Sequence, residues 1–440
     1  MLQKVASWLH FKPATSTPMT RPDPVIVPRA QHSISRESIH PNALKVLYRL
    51  HHSNFAAHLV GGSVRDLLVG LRPKDFDVAT DAHPEQVQQL FRNCRLIGRR
   101  FRLAHIYFHD GIVEVATFRA NVGELSEAHH RSAEGMILRD NIYGSLAEDA
   151  WRRDFTINAL YYNIADFSVI DYTGGMKDIE HRIIRMIGDP VQRYQEDPVR
   201  MLRGVRLAAK LYFTIEPHTE KPIFEMGSLL QNVPAARLAE EMIKIFKSGR
   251  VHETFKLLHH YGLFNVLFPQ VAASLTEENG QVYAHFINLA FTNADERLAE
   301  QKPLNSAFLF AILLWPPLQL RLQQNLATGL ALYPALHLAM QNVVRQQTKL
   351  ISFPRQLITS MQDIWLLQYR FPQRTNKWAF RILHHPRFRA AYDFLLLRGQ
   401  AGEDVQDLIT WWSLFQTSDE TERHALIASL QNQNRGTVHK

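Results

Sequence analysis

Two short stretches hold residues able to do phosphate chemistry together. The first is Gly61-Gly62-Ser63-Val64-Arg65-Asp66; the second is Lys74-Asp75-Phe76-Asp77-Val78-Ala79-Thr80. Paired glycines let a backbone come close to a phosphate. A helix beginning at Ser63 would aim its unsatisfied N–H groups, and the positive end of its dipole, at the same turn. Asp75 and Asp77 stand at i and i+2, a spacing that on a strand puts both carboxylates on one face. Two acids facing a phosphate-binding turn make sense when divalent cations lie between them, which is the arrangement of two-metal nucleotidyl transfer.

These residues need a sheet to hold them. Apolar spacing through Ala43, Leu44, Leu47 and Leu50 predicts a helix starting near Pro41. His58-Leu59-Val60 reads as a strand entering the glycine turn, Val64 to Leu68 as the helix behind it, Phe76 to Ala79 as the acidic strand and Pro84 to Phe91 as a further helix. Ala104 to Phe108 and Ile112 to Phe118 read as two strands joined at Asp110-Gly111, a strong hairpin signal. That turn explains His109-Asp110 better than a phosphohydrolase metal site does. Glu114 faces away from Val113 and Val115 and is a candidate third carboxylate on the same sheet. Residues 120–145, with His129-His130, read as a polar mobile loop. In Arg152-Arg153-Asp154-Phe155-Thr156-Ile157-Asn158, the polar side chains can cap backbone locally or hold a triphosphate and ribose. Tyr161 to Ile164 and Val169 to Tyr172 form a last hairpin.

From Asp189 strand signals nearly vanish. Asp197-Pro198 opens a helix on which Arg200, Arg203 and Arg206 recur every three residues and so share a face. Following a phosphate-type domain, forked donors in a row point to phosphate or base recognition. Beyond residue 250 helical patterns mix basic and aromatic residues, as in Arg345, Lys349, Arg355, Arg374, Lys377-Trp378, Arg381 and Arg387-Phe388-Arg389. Positive charge with stacking rings suits single-stranded RNA, although most of the rings must serve the core.

The bulk properties agree. The chain has 440 residues, enough for two to four domains, and 46% hydrophobic and 21% charged residues, as in ordinary globular proteins. A formal charge of +8 and a pI near 9.5 suit a polyanionic partner. One cysteine, Cys94, excludes an internal disulfide and a cysteine-built zinc site, and fits a reducing compartment. No stretch is long enough to span a membrane: the apolar run Ala307 to Trp315 is stopped by Pro316-Pro317. Residues 1–35, rich in Pro, Ser and Thr, read as a flexible basic extension rather than a secretory signal or transit peptide.

The motif order resembles the nucleotidyltransferase branch containing tRNA CCA-adding enzymes and bacterial poly(A) polymerases. The matching blocks are His58 to Asp66, Asp75-Phe76-Asp77, Glu114 to Arg119, Arg152 to Ala159 and Glu196 to Arg203. Leu96 to Ile106, with Gly98-Arg99-Arg100-Phe101, and Phe388 to Arg398 resemble the poly(A) polymerase side of the branch. The likeness runs from about residue 28 to 416. The end of the chain, around Gln433 to Gly436, departs from the dense arginine/lysine tail such polymerases can carry, so no tail-assisted RNA affinity is expected.

The resemblance implies an α+β protein: a small mixed-sheet nucleotidyltransferase head followed by an all-helical neck, body and C-terminal domain. The expected bounds are 1–35 for the extension, 36–188 for the catalytic head, 189–300 for a helical nucleotide-recognition and RNA-binding region, and 301–440 for a C-terminal RNA-binding domain. The implied activity is template-independent addition of AMP from ATP to RNA 3′ ends in RNA decay. Asp75 and Asp77 would hold two Mg²⁺. Strand geometry favours Glu114 as the third acid, while the resemblance also points to Asp154. Gly62 and Arg65 would contact triphosphate, and Arg153, Asp197, Arg200 and Arg203 the nucleotide. A cytoplasmic location follows, with RNA-degradation factors as further candidate partners. The nearest rival is a CCA-adding enzyme. A catalytically dead RNA-binding protein would be expected to lack an acid at 75 or 77, and a small-molecule nucleotidyltransferase leaves the long basic helical half unexplained.

Overall fold

Leu59, Val78, Val113 and Val115 occupy alternate positions on neighbouring strands, and each is almost wholly buried. Period-two alternation of this kind turns one face of a sheet into a core. The computed structural model describes residues 22–98, 102–120 and 142–437, which divide into two units, 22–179 and 180–437. The eight strands of the first unit are β1 (Val25–Val27), β2 (Ala57–Val60), β3 (Asp77–Thr80), β4 (Cys94–Ile97), β5 (Leu103–Phe108), β6 (Gly111–Thr117), β7 (Leu160–Asn163) and β8 (Val169–Asp171). They form one mixed sheet in the order β1-β8-β7-β2-β3-β6-β5-β4. Every pairing in it is antiparallel except β3 with β6.

Helices α1 (Pro41–His52) and α3 (Pro84–Leu90) bury Val46, Leu47, Leu50 and Val87 in the same core as Leu59 and Val78. Both carry Pro in their first turn, where no N–H is needed. Helix α2 (Gly62–Leu68) follows β2 and adds Val64 to that core. The opposite face is only partly covered: Val60, Ala79, Phe118, Tyr161 and Ile170 pack with Ala150 of α4 (Leu146–Trp151).

Two expectations change. The acidic strand starts at Asp77, so Asp75 lies just ahead of it. Val25–Val27 pairs with β8, so the part of 1–35 from Val25 onward is held in the sheet rather than loose; residues 1–21 lie outside the described residues. Strand β4, which contains the buried Cys94, went unread. The mobile-loop reading of 120–145 falls largely on residues 121–141, and the Arg99 to Phe101 part of the polymerase-like stretch also lies outside the described residues.

Helix α5 (Gly175–Glu180) closes the first unit and is held from below. Asp171 accepts hydrogen bonds from the backbone N–H groups of Thr173, Gly174, Gly175 and Met176 at 2.9–3.0 Å. Gly175 has to be glycine: a Cβ there would lie 2.3 Å from the Thr156 carbonyl oxygen. Thr156 also donates to Asp178 at 2.6 Å. The helix therefore props the Thr156–Asn158 turn that precedes β7.

The second unit is helical, as the α+β expectation requires, and begins before the expected residue 189. It opens with α6 (Pro190–Glu196), α7 (Val199–Leu211), α8 (Pro217–Met226) and α9 (Ala235–Phe246). One small departure is a parallel pair, β9 (Ile183–Ile184) with β10 (Thr214–Ile215). After it, every regular element described is helical. The apolar run near 307–315 is a buried core helix, Ser306–Leu313, and no described helix is long and apolar enough to cross a membrane. Trp365 and Trp412 donate to the carbonyl oxygens of Ala311 and Phe371, and Phe388 is buried, so these rings serve the core. Trp378 is exposed, with the Arg381 guanidinium 5.1 Å from its ring centre.

Asp171→Ala leaves four backbone donors at the start of α5 without their acceptor. A loss of about 2 kcal/mol is expected, read as a lower urea midpoint for unfolding.

Candidate active site

Strand register brings the acids together. One row of paired residues crosses the whole sheet: Arg95, His105, Glu114, Asp77, Val60, Tyr161, Ile170 and Ile26. Paired residues on adjacent strands share a face, so Asp77 and Glu114 stand side by side, about one strand spacing of ~4.8 Å apart. Val60, Tyr161 and Ile170 are buried, whereas Asp77 and Glu114 are exposed. Glu114 has His105 on its other flank, with Nε2 3.4 Å from the carboxylate.

Like charges in neighbouring positions repel. Asp77 is exposed as a residue, but its carboxyl is sunk far enough among its neighbours to lose hydration. It is pushed up from the ordinary 3.8 to about 6, first by that desolvation and then by Glu114 and Asp75, with Arg153 pulling the other way. The site therefore concentrates negative charge that a cation would relieve. Its donors are hard carboxylate oxygens, the type Mg²⁺ prefers. Among the described residues no three His, Cys, Asp or Glu side chains stand close enough to hold an ion by themselves. Mg²⁺ at nucleotide sites commonly takes one or two carboxylates and completes its shell with water and phosphate, so the residues fit the ion. Asp154 does not join Asp77 and Glu114 in a three-acid group; its Oδ1 accepts from the Phe155 N–H at 2.8 Å and from Asn158 at 3.0 Å.

The glycine turn is built as its sequence requires. Gly61 has φ +74°, which a side chain would strain, and α2 starts at Gly62, one residue before the expected Ser63. Ser63 donates back to the Val60 carbonyl at 3.1 Å. A Cβ on Gly62 would meet the Arg65 guanidinium at 3.4 Å. Arg65 is buried: Nε and Nη2 donate to Asp66 at 2.9 and 2.6 Å, and Nη1 donates to Asn158 at 2.5 Å. It thus ties the turn to the segment carrying Asp154.

Arg153 reaches the same turn. A Cβ on Gly61 would lie 3.5 Å from its Nη1. Its Nε and Nη2 donate to Asp149 at 3.2 and 2.9 Å, and Nε also donates to the Tyr161 hydroxyl at 2.8 Å. Tyr161 in turn donates to Asp149 at 2.7 Å. Burial alone would discourage the Arg153 charge, but Tyr161 and Asp149 outweigh it and raise its pKa. Burial likewise raises the Tyr161 pKa, keeping the hydroxyl protonated as a donor. Asp149 was not singled out from sequence; its position four residues before Arg153, one helical turn away, was the available signal.

The remaining expected residues belong to the second unit. Asp197 accepts a two-pronged pair from Arg237 at 3.1 and 2.9 Å. Burial works against its ionisation, but Arg237, Arg200 and Arg203 outweigh it and hold the carboxyl below its ordinary range. Arg200 donates to Glu196 at 3.1 Å and to the Arg193 carbonyl at 2.7 Å, and Arg206 donates to Glu241 at 2.7 Å. Members of the arginine row are therefore anchored by carboxylates within their own unit.

Known proteins share these features. Residues 57–185 match the family described as "Poly A polymerase head domain", 212–275 the "Probable RNA and SrmB- binding site of polymerase A" and 328–440 the "Polymerase A arginine-rich C-terminus". The chain is similar to the poly(A) polymerase I of Salmonella typhi, 49% identical over 421 residues, which is 94% of this chain and 90% of the relative. It is also similar to the CCA-adding enzyme of Bacillus subtilis, 37% identical over 231 residues, 52% of this chain and 56% of the relative. A solved structure described as "tRNA-processing enzyme (apo form I)" shares the fold with a TM-score of 0.57 at 20% identity, covering 93% of this chain and all of that one.

An acid whose folded pKa lies above its unfolded value binds more protons folded than unfolded. The ionised folded state thus loses stability as pH rises from about 4 to about 6. In protein stripped of divalent cations, Asp77→Asn is expected to raise the urea midpoint above pH 6 and to leave it nearly unchanged below pH 4.

Proposed function

The chain belongs to the poly(A) polymerase family and is a polynucleotide adenylyltransferase, and from that premise we propose that it adds AMP from ATP to RNA 3′ ends by two-metal catalysis, in the service of RNA decay. The observation that carries the chemistry is the Asp77–Glu114 pair on one sheet face, beside a glycine turn that Arg153 also reaches. Two Mg²⁺ held by Asp75 and Asp77, with Glu114 or Asp154 as the third acid, would activate the RNA 3′-hydroxyl and neutralise the triphosphate and the leaving pyrophosphate.

The protein's own residues position and stabilise. The Gly61–Gly62 turn, free of side chains, admits the triphosphate to the backbone. Arg153 presents a permanent positive charge, and its Asp149 and Tyr161 contacts fix its direction before substrate arrives, so little reorganisation remains for the reaction itself. Arg65 shapes the turn through Asp66 and Asn158, in addition to its proposed contact with phosphate. On the second unit, Asp197, Arg200 and Arg203 are proposed to bind nucleotide; an Asp and an Arg together offer an acceptor and a fork of donors to a base edge. In-line displacement at the α-phosphorus asks mainly for such positioning and charge stabilisation. The long similarity to poly(A) polymerase I supports ATP, rather than CTP followed by ATP, as the substrate. A cytoplasmic place and contact with RNA-degradation factors are part of the same proposal.

The test uses one protein sample, with a generic RNA and with tRNA lacking its end, given CTP alone, ATP alone or both. Long runs of AMP on either RNA are expected; CMP incorporation that stops at a fixed length would contradict the reading. Asp75→Ala should reduce AMP transfer by roughly a thousandfold or more while leaving the circular dichroism spectrum unchanged.

A further inference from the structure

On the far side of the head from the acids, the outer stripe of α1 is basic and aromatic. Pro41, Lys45, Tyr48, Arg49 and His52 recur at helical spacing, and α1 contains no acidic residue. Its inner stripe, Val46, Leu47 and Leu50, packs into the core beneath Leu59 and Val78, so the outer stripe faces away from the Asp77–Glu114 row. Sheet and helix together put roughly 15 Å of protein between the two surfaces.

Two clefts flank this stripe and share Tyr48. One, of about 470 Å³, is lined by Lys45, Tyr48, Arg49, His52, Phe91 and Phe108. The other, of about 550 Å³, is lined by Arg29, Arg36, Tyr48, Tyr162 and Phe167, with Glu37 its one acid. The cations sit against the rings: Arg36 is 4.7 Å from the Phe167 centre and donates to the Tyr48 hydroxyl at 3.0 Å, and Arg49 is 5.1 Å from the Phe91 centre. Tyr48 and His52 stack at 6.1 Å. Among the described residues, none of Arg29, Arg36, Lys45 and Arg49 forms an ion pair, in contrast to Arg153, Arg200, Arg206 and Arg237. Tyr48, Phe108 and Phe167 are partly exposed, while Phe91 and Tyr162 are buried beneath them. Unpaired cations beside the three accessible rings along a shallow band suit a polyanion that also carries flat bases.

We propose that this stripe is a second RNA-binding surface, which holds the single-stranded segment upstream of the growing 3′ end. The inference rests on RNA being the substrate. Its distance from the acids excludes a direct part in the transfer, so its effect falls on affinity and on the number of additions per encounter. An anionic membrane would suit apolar side chains projecting past the cations; here the rings lie within clefts among them.

The test is the double variant Lys45→Ala/Arg49→Ala in the full chain. Both positions are exposed on a helix where alanine is well tolerated. For a long oligo(A), the plot of log affinity against log salt should become shallower by about 1.4, two phosphate contacts at ~0.7 each, and additions per encounter should fall. The rate of AMP addition to a trinucleotide primer should not change. In the wild type, 4-thiouridine placed upstream in a long RNA should crosslink to the peptide spanning Lys45 to Ser53. An unchanged slope, crosslinks confined to residues beyond 180, or loss of binding to anionic lipid vesicles with RNA affinity intact would each overturn the proposal. Crosslinking at α1 by a wild-type protein that never extends RNA would leave this surface standing and overturn the enzymatic reading instead.

Discussion

One parallel pairing inside an otherwise antiparallel sheet governs the head. Strands β3 and β6 run side by side in the same direction, and their register sets Asp77 next to Glu114. A parallel pair cannot be closed by a tight turn. The connection here is long, passing through α3 and the β4–β5 hairpin before β6 begins. Those intervening elements supply Val87, Ala104 and Ile106 to the core that fixes the register from the opposite face. A slip of β3 by one residue would turn Asp77 inward and Val78 outward, and a slip of β6 would do the same to Glu114 and Val115, which the buried face forbids. The core thus enforces a like-charge contact that the acids alone would avoid, and that contact adds to the desolvation that chiefly raises the Asp77 pKa.

Around that contact the protein has arranged fixed positive and polar groups. Arg65 and Arg153 both reach the glycine turn, each held by a buried acid, Asp66 and Asp149. Asn158 links Arg65 to Asp154, and α5 supports the turn on which Asn158 sits through Thr156 and Asp178. Such webs are stiff because a half-satisfied member would be costly in a low-dielectric interior. Stiffness is what phosphoryl chemistry asks of a site, since the gain comes from charges already in place. In the second unit the same economy pairs Asp197 with Arg237 and Arg200 with Glu196.

Much of this was legible in the sequence because it is local. The i, i+2 acids, the glycine turn, the Asp110–Gly111 hairpin and the alternation of Val113, Glu114 and Val115 are all read within a few residues. What was missed depends on partners far away in the chain. Val25–Val27, set between Pro24 and Pro28, looks like linker until β8 pairs with it some 140 residues later. Strand β4 is short and holds a cysteine and an arginine, so its pattern is weak until β5 is placed beside it. The role of Asp149 depends on Tyr161, which lies on a strand of the sheet and 12 residues away in the chain. The arginine row read correctly as periodic, but periodicity could not reveal that Glu196 and Glu241 anchor it.

The claim on which the rest stands is that the face carrying Asp77 and Glu114 is where cations and triphosphate meet. The most direct measurement is anomalous diffraction from crystals of the full chain grown with Mn²⁺ and a non-hydrolysable ATP analogue. Manganese peaks within coordination distance of both Asp75 and Asp77, with the triphosphate against the Gly61–Gly62 turn, are the predicted result. A nucleotide bound with its metals away from these two carboxylates would contradict the account.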